Sequence, residues 1–113
     1  MDKTSLKDLL NNNNDVIIFN FTATWCAPCK RASPIINDLK NNLPTTYQFI
    51  EVDIDESLDI YGTLKSKRII SGIPSLVAYY KDNKSIWPDE ALSSSDPNDI
   101  KAFFQTVINQ GSM

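Results

Sequence analysis

Residues 16–21 read VIIFNF, an almost unbroken apolar and largely β-branched run. A strand with one face in water would alternate apolar and polar residues, whereas a continuous run calls for cover on both faces. A chain carrying such a segment is drawn towards a layered α/β arrangement, with helices packed on either side of a central strand. The strand leads directly into TATWCAPCK (22–30), which contains both cysteines of the chain, Cys26 and Cys29.

The remaining pattern fits this layout. TSLKDLL (4–10) places Leu6, Leu9 and Leu10 on one helical face, with Thr4 or Ser5 expected as its cap, and NNNND (11–15) reads as the turn that ends it. After Cys26, apolar residues recur at helical spacing as Ala32, Ile35, Ile36, Leu39 and Leu43, with Pro34 inside the stripe and expected to kink it. YQFIEVDI (47–54) predicts a second buried strand, SLDIYGTLKS (57–66) a short helix and SLVAYY (75–80) a third strand. KDNK (81–84) reads as a hairpin turn into a short fourth strand at SIW (85–87), and SSSD (93–96) as a loop. Asp96 and Pro97 then open an amphipathic closing helix over 96–109. The expected fold is a mixed sheet of about four strands with helices on both faces, in one domain spanning 1–113. Chemistry in such folds gathers at the carboxyl ends of the central strands, and Cys26 lies just past one of them.

Several function classes are excluded at this stage. Histidine is absent, so no Ser-His-Asp triad, Cys-His pair or histidine-ligated zinc can form. Three glycines, at 62, 72 and 111, make no phosphate-cradling loop. The net charge of −3 gives no electrostatic argument for nucleic acid or an anionic membrane as partner. No apolar run reaches membrane-spanning length, and MDKTSLKDLL has no secretory h-region, so a soluble, cytoplasmic protein is expected.

Three readings of the cysteine pair remain: redox chemistry, half of a metal site, or a structural staple. A zinc site needs further ligands that no other cysteine or histidine can supply, and a bridge closing so short a loop stabilises little. Redox chemistry has the stronger physical basis. With the helix starting at Cys26, Pro28 falls in the first turn, where its missing N–H costs little. Residues three apart share a helix face at a spacing that suits a disulfide. At the cap position the Cys26 sulfur meets unpaired backbone N–H groups, chiefly that of Cys29, and both the hydrogen bond and the helix-end potential favour thiolate. Lys30 adds a nearby positive charge. Cys26 is therefore expected to attack, and Cys29, one turn deeper and less exposed, to resolve.

These residues resemble the active site of the thioredoxin family. WCAPCK (25–30) is similar to its Trp-Cys-Gly-Pro-Cys-Lys motif with Ala27 in place of glycine, Pro34 to its helix proline, and GIPS (72–75) to the segment whose proline is cis. VDID (52–55) and ALS (91–93) match weaker landmarks. Taken by itself, Pro74 is equally well read as a trans proline opening a strand. The resemblance implies that Cys26 forms a mixed disulfide with a client protein and Cys29 releases it. It also implies that Ile73 pairs its backbone with an extended client segment beside Pro74, and that Trp25 shields the site. No bound cofactor is implied; electrons would come from a thioredoxin reductase or a small thiol. A monomer is expected.

Four departures from the family pattern stand out. Asn20 occupies the place of a buried aspartate that relays the proton of the resolving cysteine, and asparagine has no such capacity. Glu51 stands where a lysine often accompanies that aspartate. No segment before Cys26 answers to the family's usual first strand, which would leave an exposed sheet edge open to a partner or a second copy. The stretch between Asp55 and Pro74 and the one after Leu92 are longer than the family pattern, and Glu90 is expected where a glycine usually flattens the client platform, which would set Asp89 and Glu90 beside the cysteines. The alternative function is a binding module of the same fold, with little or no redox activity.

Overall fold

The computed structural model describes residues 1–111. Among them the elements are α1 (Lys3–Asn11), β1 (Ile17–Thr22), α2 (Ala27–Asn41), β2 (Gln48–Asp53), α3 (Leu58–Ser66), β3 (Ser75–Tyr79), β4 (Glu90–Ser93) and α4 (Pro97–Gly111). They form a four-stranded sheet in the order β2-β1-β3-β4. β1 runs parallel to β2 and antiparallel to β3, and β4 is antiparallel to β3. The expected mixed sheet is present, and β2 is left as an edge strand.

The continuous apolar run is explained by cover on both sides of β1. Ile17, Phe19 and Phe21 share one core with Leu6 and Leu10 of α1 and Ile60 and Leu64 of α3. Val16 and Ile18 point the other way, into a core with Ala32 and Ile36 of α2 and Ile100 and Phe104 of α4. Each fully buried large apolar side chain contributes about 1.5–3 kcal/mol, so the two faces together drive the layered arrangement. Phe19 meets the Tyr79 ring edge-on with centroids 5.7 Å apart, and Phe49 stacks on Phe104 at 6.3 Å.

α2 runs from Ala27 to Asn41 with Pro34 inside it. Local sequence reasoning missed two details. Asp2, not Thr4 or Ser5, caps α1, accepting the Ser5 N–H at 2.8 Å. The fourth strand is not Ser85–Trp87 but Glu90–Ser93, so Ser93, expected in a loop, ends the strand opposite Ser75. The segment 81–89 is instead fastened by side chains. Asn83 donates to the Trp87 carbonyl at 2.9 Å and accepts the Ser85 N–H at 2.8 Å, while the Tyr79 hydroxyl donates to the Ile86 carbonyl at 2.6 Å. Pro88 lacks an N–H for any ladder. Pairing resumes only after it.

Candidate functional site

Because β1 and β2 are parallel, their carboxyl ends meet at the same edge of the sheet, and α2 starts directly above them. Cys26 is the N-cap of α2, with φ −88° and ψ 108°, Ala27 opens the helix and Pro28 lies in its first turn. The Cys29 N–H donates to Cys26 Sγ at 3.2 Å. The two cysteines form a disulfide with their Cα atoms 5.3 Å apart. The hydrogen bond and helix position inferred from sequence are both present, and both stabilise negative charge on the Cys26 sulfur once it is reduced.

One expectation needs correction. Cys26 is not the more open of the pair: it is 4% exposed and Cys29 6%. Its Sγ tucks to within 3.9 Å of the Ile73 carbonyl oxygen, while Cys29 forms part of the wall of a surface cavity. The two cysteines therefore differ in hydrogen bonding and hardly in overall burial.

Ile73 and Pro74 join through a cis peptide bond and lie against the helix start, lining a small hollow of about 260 Å³ with Pro28. Ser93, Ser94 and Ser95 close the hollow on its other side. This overturns the placement of Asp89 and Glu90 beside the cysteines. Ser93 pairs with Ser75 at the site end of the hairpin, whereas Glu90 pairs with Ala78 at the distant end. There Glu90 accepts the Tyr80 hydroxyl at 2.9 Å, and Asp89 accepts the Tyr80 N–H at 2.8 Å. The loop 81–89 delays β4 until Glu90, and this register carries both acidic residues away from the cysteines.

Trp25 stands on the rim, 64% exposed, with its indole Nε1–H donating to Asp55 at 2.8 Å. In the sequence Asp55 is marked only by position, closing the VDID stretch and opening the one that runs to Pro74. Its contact with Trp25 follows from the parallel β1–β2 pairing, which no local signal announces.

Asn20 lies in β1 on the face that α2 covers, 8% exposed, and its Oδ1 has no hydrogen-bond partner among the described residues. Glu51 is its direct neighbour across the parallel pair. The aspartate–lysine pair of the family is thus replaced by an amide and a carboxylate at adjacent points. Among the described residues, no group of acidic or cysteine side chains is arranged to hold a metal ion, and no helix is long and apolar enough to cross a membrane.

Comparison with known proteins places this geometry. The thioredoxin family model matches residues 1–106. Thioredoxin Y2, chloroplastic, of Arabidopsis thaliana is 31% identical over 83 residues, covering 74% of this chain but 46% of that protein. The chain thus spans less than half of that relative. Thioredoxin of Ophiophagus hannah is 30% identical over 79 residues, covering 70% of each chain. The structure of Trichomonas vaginalis thioredoxin superposes with a TM-score of 0.68 at 25% identity, covering 94% of this chain and 91% of that one.

Proposed function

This chain belongs to the thioredoxin family, and on that footing we propose that it reduces protein disulfides through a Cys26/Cys29 dithiol–disulfide cycle. The observation that carries the reading is the Cys29 N–H held 3.2 Å from Cys26 Sγ at the start of α2. A thiolate at Cys26 is stabilised there, and the thiolate is the attacking species in disulfide exchange. Cys26 attacks a client disulfide, forming a mixed disulfide and releasing one client thiolate. Cys29 then attacks Cys26 Sγ, the Cys26–Cys29 bond forms, and the second client sulfur leaves. Two electrons pass from the dithiol to the client.

The client approaches between Trp25 and the Ile73–Pro74 segment, and the proximity of Cys26 Sγ to the Ile73 carbonyl supports backbone pairing there. Partners are disulfide-containing client proteins, with a reductase or small thiol as electron donor. A reducing compartment such as the cytoplasm suits this direction. The protein acts as a monomer, with the β2 edge as the surface available to a second copy.

A second reading, a docking module with incidental cysteines, draws on the low exposure of both cysteines. Insulin turbidity driven by dithiothreitol separates the two. The wild-type chain is expected to accelerate precipitation and Cys26→Ser to abolish the acceleration. An inactive wild-type chain would overturn the oxidoreductase reading.

A further inference from the structure

On the reading that Cys26 and Cys29 exchange disulfides, we propose that Glu51 takes the proton of the Cys29 thiol during resolution, through water in the cavity that both residues line. Cys29 must lose that proton before it can attack. The chain has no histidine, and Asn20, the partner of Glu51 across the β1–β2 pair, offers only an amide. The cavity beside Cys29, about 410 Å³, has room for several waters and is walled by the ionisable groups Lys30, Glu51, Asp53 and Glu56.

Of these, Lys30 is a cation and no acceptor. The Asp53 carboxylate accepts the Asp55 N–H at 2.9 Å, which ties it to the turn beyond β2. Glu56 stands on that turn. Glu51 alone lies in the same sheet row as Asn20. Phe49, two residues before it, packs on Phe104 of α4, so alternation along the strand directs Glu51 to the face that α2 covers. The Oδ1 of Asn20, on this same side, is buried and stands apart from the cavity wall, so the water path from the thiol leads to Glu51 and not to the amide.

The step balances without another reactant. The Cys29 proton passes through water to the Glu51 carboxylate, Cys29 Sγ attacks Cys26 Sγ, and the Cys26–client bond breaks. The departing client thiolate recovers a proton from Glu51 or from solvent.

Electrostatics alone predicts the opposite outcome for Glu51→Gln. Removing a negative charge beside Cys29 makes its thiolate easier to form and would speed resolution. Proton acceptance predicts slowing. Stopped-flow reaction of the reduced full chain with 5,5′-dithiobis(2-nitrobenzoate) resolves both steps, since Cys26 attack releases one nitrothiobenzoate and Cys29 resolution the second. In Glu51→Gln the first release is expected at the wild-type rate and the second slowed about ten-fold at neutral pH. Glu51→Asp should restore part of the rate, and Glu56→Gln should match wild type. A second release unchanged or faster in Glu51→Gln overturns the proposal, as does slowing of both releases alike in Glu51→Gln and Glu51→Asp. A wild-type chain lacking the first release would instead overturn the exchange reading on which it rests.

Discussion

The Trp25 indole N–H is bound to the Asp55 carboxylate at 2.8 Å, joining two residues 30 apart in sequence at the lip of the disulfide. The bond fixes an exposed aromatic ring beside the sulfurs, where a mobile ring would have to be ordered each time a client docked. A charge-assisted hydrogen bond is stronger than a neutral one even near the surface.

Loss of that bond should weaken client binding more than chemistry. In Asp55→Ala, KM for a disulfide substrate is expected to rise roughly five-fold, as about 1 kcal/mol of positioning is lost, with kcat nearly unchanged. Steady-state kinetics on a peptide disulfide tests this. A fall in kcat at constant KM would contradict it.

Restoring an acid at the β1 position should make the two acceptor sites interchangeable. Asn20→Asp is expected to speed mixed-disulfide resolution several-fold, and in the double variant with Glu51→Gln to recover most of the lost rate. Stopped-flow traces of the four combinations give the comparison. The absence of any rate gain in Asn20→Asp would show that proton transfer does not limit this step.

Core truncation should reveal how far stability depends on the two-sided burial of β1. Phe19 is 1% exposed and packs on Tyr79, so Phe19→Ala is expected to lower unfolding free energy by about 3–5 kcal/mol. Urea denaturation followed by far-ultraviolet circular dichroism measures it. A loss below about 1 kcal/mol would mean that the face collapses around the gap.

Alkaline pH should unfold the protein through Tyr79. Burial, with a smaller contribution from the Asp89 charge, raises its phenol above the ordinary value of 10.0. The folded state therefore holds this proton at pH values where the unfolded chain has begun to release it. Tyr79 causes no loss of stability below the unfolded value, whereas above about pH 10 unfolding becomes progressively easier. Thermal melts between pH 8 and 11 check the sign. In Tyr79→Phe the alkaline slope should be shallower, alongside a constant loss from the missing bond to the Ile86 carbonyl.

Local rules located most elements because their causes are local. The β-branched run at 16–21, the helical stripe from Ala32 onward and the Asp96-Pro97 opening of the last helix each carry their own pattern, and each appears within a residue or two. The Ser85–Trp87 prediction failed because a short apolar segment cannot reveal that Asn83 and Tyr79 will bind its backbone and hold it out of the sheet. The register of β4 differs accordingly, and the acidic pair expected beside the cysteines lies at the opposite end of the hairpin.

The sequence by itself determined the cysteine spacing, the cap position of Cys26, the layered α/β class and the exclusion of histidine chemistry. These depend on backbone periodicity and on which side chains exist. Only the tertiary structure decided that Trp25 meets Asp55, that three serines face the proline segment, that both cysteines are almost equally buried, and that Asn20 neighbours Glu51. Those relationships arise from strand register and helix placement, which are set when separate apolar faces pack together. A local pattern carries the identity of each residue but not its neighbour across the sheet.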